Sequence, residues 1–308
     1  MNFFTNVRTP PALEMILDPE NDSGVYLDDW VEVEMLLRNI LINAHIIEFT
    51  YKNINNILRG ILSPDPRERD LCFEISLCIL ERSLLDRNCI INILVEFLVG
   101  EVSHYGIDLV LRLLNATGHI SSEDVSEIYV PLLGKPLNKR IRKEIVYGIT
   151  TVYTFSNLDI ILGSILKHCR QFDSLNSFIS LIIIEICWEG VESVSKESCT
   201  MAVGIFSILL ENEVQPTVKK VSELLVDCDF MYKMSKNSRT VVEGLFDVVY
   251  KLSKSYWKKS EQFLACQMLE SLFKLNNETF DESLRKHNHT KYIEFTNKEN
   301  KKIESDTS

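Results

Sequence analysis

Little in this chain suits any fold but a helical one. Glycine occurs eleven times and proline eight times in 308 residues, too few for the turn-dense pattern of a β-sandwich or barrel. No apolar run reaches the roughly 20 residues that cross a bilayer. The most apolar stretch, FISLIIIEICW at residues 178–188, is short, carries Glu185 and reads as a buried helix. The opening MNFFTNVRTPPALEM has no basic segment followed by a long apolar one, so no signal peptide is expected. A cationic surplus is also missing. Formal net charge is −11, which speaks against nucleic acid, whose phosphates need a basic surface. An acidic chain is better suited to basic protein segments.

Cysteine is present but unpatterned. Cys72, Cys78, Cys89, Cys169, Cys187, Cys199, Cys228 and Cys266 form no C-x-x-C pair, and most sit in apolar helical runs as small hydrophobes. The expectation is a reducing compartment, cytoplasmic and/or nuclear, with no disulfide framework.

Catalytic signatures are missing as well. None of the six histidines falls in H-E-x-x-H or a spaced Cys/His set. Adjacent His168 and Cys169 point in different directions on a helix. No phosphate-binding glycine loop and no nucleophile elbow occurs. Asp28-Asp29 and Glu123-Asp124 stand at helix starts, where the helix dipole accounts for them. No catalytic residue, metal or cofactor is expected; an enzyme with an unmarked site is the last-ranked reading.

The chain is rich in helix-forming apolar residues: 45% of it is hydrophobic, ample for a large core. Periodicity gives about fourteen amphipathic helices separated by short polar breaks, with helix pairs of about 40 residues. Breaks are expected near Ser63–Pro66, Ser103–Tyr105, Gly118–Ser122, Gly134–Pro136, Phe155–Asn157, Glu189–Ser195, Glu213–Pro216, Lys236–Ser238 and Asn276–Asn277. The helix after Pro66 carries two apolar stripes, Leu71/Ile75/Cys78/Ile79 and Phe73/Leu77/Leu80/Leu84. A helix sandwiched in a stack needs two such faces. The expectation is an all-α, HEAT-like helical-repeat solenoid (an α-α superhelix) over residues 25–289, with a flexible segment at 1–24 and a disordered charged tail at 290–308. A compact all-α globule would also bury such helices. The tryptophans Trp30, Trp188 and Trp257 read as core anchors. The basic run Lys135, Lys139, Arg140, Arg142, Lys143 reads first as a solvated face and second as a dock for an acidic partner.

One hexapeptide stands out, Asp65-Pro66-Arg67-Glu68-Arg69-Asp70. Asp65 can cap a helix, Pro66 suits the first helical position, and Glu68 can reach back to the cap. Arg67, Arg69 and Asp70 then pair with neighbouring repeats. Four blocks in order resemble the B-prime (B-regulatory) subunits of protein phosphatase 2A. They are DPRERD with its apolar helix and Arg87; Trp30 on a helix leading through NINNILRGILSPDP; YGIDLVLRLL (105–114) followed by VPLLGK (130–135); and SKSYWKKSEQFLACQMLESLFKLNNETFDE (253–282). In the last, Ser253, Lys254, Trp257, Lys259 and Ser260 stand at the family's block positions.

The resemblance implies a HEAT-like solenoid without catalysis of its own. It would assemble with the scaffold (A) and catalytic (C) subunits and select substrate proteins through a groove. The residues it nominates for partner or inter-repeat contacts are Asp65, Arg67, Glu68, Arg69, Asp70, Arg87, Leu113, Trp257 and Lys259. The family reads Leu-x-x-Ile-x-Glu motifs with a His-Arg pair and a Tyr on the helix after the signature. Here those positions hold Leu77, Cys78 and Leu80. Cys cannot replace Arg as a carboxylate partner, so weak or absent motif binding is expected. No nucleic-acid or membrane partner is expected. The alternative is a generic acidic α-solenoid adaptor for basic segments, unrelated to phosphatase.

Overall fold

A computed structural model describes residues 30–288, apart from 45, 82–83, 100–104, 119, 136 and 154–156, and apart from the side chains of 84–89 and 99. The segments expected to be flexible, 1–24 and 290–308, lie outside the described residues. Every regular element among the described residues is a helix, and none of these helices is long and apolar enough to cross a membrane. The helices group into two compact units, divided between Tyr153 and Thr154. Each is described by itself.

The first unit contains α1 (Trp30–Asn43), α2 (Tyr51–Gly60), α3 (Pro66–Leu80), α4 (Leu84–Val99), α5 (Ile107–Thr117) and α7 (Lys139–Val152). Between the last two lies α6, built from Ser122–Asp124, a π turn at Val125–Tyr129 and Val130–Leu132. The π turn stands just before Pro131, which has no N–H to continue an ordinary ladder. Helices two apart in the chain pack on one another: α1 on α3, α3 on α5 and α5 on α7 in one layer, α2 on α4 and α4 on α6 in the other. That is the packing of stacked helix pairs, in which each pair buries its apolar surface against the next. The two-faced α3 meets α1, α2, α4 and α5. Leu71, Phe73, Ile75, Ile79 and Leu80 are buried on it, from both of its predicted stripes.

The second unit repeats the arrangement with α8 (Leu158–His168), α9 (Ser174–Glu189), α10 (Lys196–Glu211), α11 (Gln215–Val226), α12 (Cys228–Met234), α13 (Ser238–Ser255) and α14 (Lys259–Leu275), followed by α15 over residues 277–288. Here α8, α10 and α13 form one layer and α9, α11 and α14 the other. Its core is aromatic. Trp188 is fully buried and stacks on Phe230 with centroids 5.0 Å apart. Phe280 meets Phe246 edge-on, also at 5.0 Å.

Several breaks differ from expectation, among them unexpected ones at residues 46–50, 172–173 and 256–258; those expected near 103–105 and 155–157 fall mostly outside the described residues. A 3-10 turn at Ser235–Asn237 carries α12 into α13, so the polar residues at Lys236–Ser238 do not open a gap between helices. An additional break falls at Asp227, which ends α11 and caps α12 by accepting from the Phe230 N–H at 2.8 Å.

Candidate functional site

The hexapeptide opens α3, and its charges turn inward. Asp65 caps the helix by accepting from the Arg67 N–H at 2.9 Å, and Pro66 occupies the first turn. The Asp65 carboxylate also takes both ends of the Arg67 guanidinium, Nε at 3.1 Å and Nη2 at 2.8 Å, the fork-to-fork geometry that makes such pairs strong. Asp65 has no exposed surface. The Arg67 guanidinium lies 4.5 Å above the Trp30 ring of α1, so one carboxylate fixes a cation that clamps two neighbouring helices.

Glu68 reaches back, but through a relay. Its Oε2 accepts from the Ser63 hydroxyl at 2.5 Å, and the Ser63 oxygen in turn accepts from the Asp65 N–H at 3.1 Å. Arg69, also buried, donates to the carbonyls of Ser63 at 2.9 Å and Pro64 at 3.2 Å. Its guanidinium lies 5.2 Å from the Tyr105 ring at the entrance to α5. The adjoining Gly106 has φ 73, and a Cβ there would fall 1.9 Å from the Ile61 carbonyl oxygen. Only glycine allows that approach. Asp70 alone of the hexapeptide's charges is exposed.

The family's motif-reading positions are apolar in shape as well as in name. Leu77 and Cys78 are half-buried; Leu80 and Leu113 are core residues, Leu113 with no exposed surface. The Arg87 side chain lies outside the described residues. Arg112 stands with its guanidinium 5.2 Å from the Phe73 ring, a contact that sequence spacing does not suggest.

The last block starts at the end of α13, and its Trp257 lies on the turn between α13 and α14. Trp30 is half-buried and Trp188 is a core anchor as expected, but Trp257 is not: it is 76% exposed. The reason is its place on a turn. Its neighbour Tyr256 takes the buried position, donating its hydroxyl to the Glu213 carbonyl at 2.8 Å, and Trp257 is carried outward over it. Lys259 begins α14 and is exposed. Glu261 is buried; the Ser260 hydroxyl and then Lys258 hold its carboxyl below the ordinary range.

Among the described residues no group of three His, Cys, Asp or Glu side chains could hold a metal ion. His168 ends α8, its pKa lowered by burial and by Lys167. His287, at the end of α15, sits against Tyr250 with centroids 4.7 Å apart, its Nδ1 2.9 Å from Asp247 Oδ1. Burial pushes the thiols of Cys187 and Cys199 up to about 12 and about 11, away from nucleophilic use.

The fold therefore defines an all-α helical-repeat protein whose distinctive charged cluster holds helices together. Its particular kind follows from comparison with known families. The family model for the protein phosphatase 2A regulatory B subunit (B56 family) matches residues 1–307, and the chain belongs to that family. It is a regulatory subunit of the phosphatase and has no catalysis of its own; as the family does, it binds the scaffold and catalytic subunits. That sets aside the reading as an unrelated acidic adaptor. No curated protein matches the chain.

Proposed function

We propose that the chain directs the phosphatase core to its substrates in the cytoplasm or nucleus, through protein contacts alone, without membrane or nucleic acid. Net charge of −11 supports the second half of this reading. The proposal also assigns the hexapeptide. Asp65, Arg67, Glu68 and Arg69 hold adjacent helix pairs in register, while Asp70 and Lys259 are left to meet a partner.

Substrate choice does not follow the family's short-motif groove. The observation that carries this is the pair Leu77 and Cys78, half-buried on α3, where a carboxylate ligand needs a fixed cation. The core assembled with this chain should dephosphorylate a set of proteins not enriched in Leu-x-x-Ile-x-Glu. Calorimetry of such a peptide against the full chain should show no binding below about millimolar, some 4 kcal/mol of affinity. Micromolar binding that disappears with Arg87→Ala would contradict the proposal.

A further inference from the structure

The turn between α13 and α14 presents an indole that the fold does not use. Trp257 is 76% exposed, yet the backbone carrying it is held on both sides. The preceding Tyr256 is buried, with its ring stacked 6.0 Å from the indole. Its hydroxyl is fixed on the Glu213 carbonyl at 2.8 Å, and its own carbonyl accepts from the Gln262 side chain at 2.7 Å. Glu213, the receiving residue, has φ 53 and is the one non-glycine residue in the left-handed region among the described residues. Strain of that kind persists only where the surroundings impose it. A large aromatic on so fixed a support loses little freedom when it is buried by a partner, the property of an interface anchor.

The charge beside it that lacks an ion pair among the described residues is positive. Lys258 is paired with the buried Glu261 at 3.3 Å, and Lys251 with Glu213 at 3.1 Å. Exposed Lys254 stands over the Tyr250 ring, 5.4 Å from its centroid. Neither it nor exposed Lys259 has an ion pair among the described residues. Two uncompensated cations thus flank an exposed indole on a chain of net charge −11. Six residues after Trp257, on the first turns of α14, Phe263 is 63% exposed. The chemistry that fits this turn is an apolar pocket rimmed by carboxylates.

We propose that Trp257, flanked by Lys254 and Lys259, is the anchor by which this chain docks on an acidic surface of the scaffold–catalytic core. The inference rests on the chain's reading as a regulatory subunit. The indole enters a pocket, and the two lysines steer and orient the encounter, so the contact weakens with added salt.

Titration calorimetry of the full-length chain with the purified scaffold–catalytic core tests this. Trp257→Ala should weaken binding about 30-fold or more, the loss typical of a central aromatic anchor. Trp257→Phe should keep most of the affinity. The double change Lys254→Glu, Lys259→Glu should weaken it about tenfold and flatten its dependence on salt. All variants should melt with the parent chain, since none of these side chains is buried. Parental affinity in Trp257→Ala would overturn the inference alone, and a salt dependence unchanged by the double lysine change would overturn its acidic partner. No binding by the parent chain would overturn the regulatory-subunit reading beneath it.

Discussion

At the start of α3, three charged side chains are buried and spend their hydrogen bonds on Ser63, Arg67 and the backbone; at the start of α14, an indole stands in water with lysines beside it. Both are short turns between packed helices, and both belong to blocks that resemble the same family. In the first, Asp65, Glu68 and Arg69 are each at most 4% exposed, and the cluster's hydrogen bonds run to Ser63, Pro64 and Arg67. Asp70 among these charges is exposed. In the second, the buried tasks fall to Tyr256 and Glu261, which frees Trp257. A distinctive sequence block can thus serve either the fold or the surface, and burial separates the two.

Breaking the first turn should cost most. Arg69→Ala leaves the carbonyls of Ser63 and Pro64 without their donor and empties a buried space, a loss of about 3 kcal/mol by urea denaturation. Asp65→Ala removes the cap and the guanidinium's partner together, for about 2–3 kcal/mol; Asp65→Asn should recover part of it by keeping an acceptor for the Arg67 N–H. Gly106→Ala should cost about 2–3 kcal/mol, since it adds a left-handed penalty to a backbone clash.

A smaller effect concerns pH. The folded thiols of Cys187 and Cys199 titrate above their ordinary value of 9.0 because burial disfavours the thiolate. Their folded-state pKa is raised, so their contribution is fully present below the unfolded value. It is lost as pH rises from about 9 toward 11 and 12. Native alkylation below that window should label exposed Cys228 and Cys266 and spare Cys187 and Cys199.

The smallest changes belong to the second turn. Glu213→Gly should raise stability by about 0.5–1 kcal/mol by relieving the left-handed backbone, despite the loss of the exposed pair with Lys251. Trp257→Ala and Asp70→Asn should each stay within about 0.5 kcal/mol of the parent. A large loss of stability in Trp257→Ala would erase the contrast between the two turns.

Much of this is legible in the sequence. The cap at Asp65, the proline after it and the two-faced α3 are local or periodic features, and the structure has all three. Spacing sends Glu68 back to the cap itself, whereas it works through Ser63, because spacing alone does not show a hydroxyl standing between two partners. Periodicity does not reveal the π turn in α6, although Pro131 marks where a helical ladder must change. Trp257 departs from the expected core position for a physical reason. Size and apolarity predict burial on a helix face, but on a turn only one of two adjacent aromatics can point inward. Tyr256, with a hydroxyl for the Glu213 carbonyl, satisfies that position better. The exposed indole becomes visible only once both neighbours are placed.

Hydrogen–deuterium exchange of the full chain, free and bound to the scaffold–catalytic core, tests the contrast most directly. Peptides covering residues 63–70 should already exchange slowly in the free chain and change little on binding, while those covering 254–263 should become protected. Protection that develops at 63–70 and is missing at 254–263 would contradict the account.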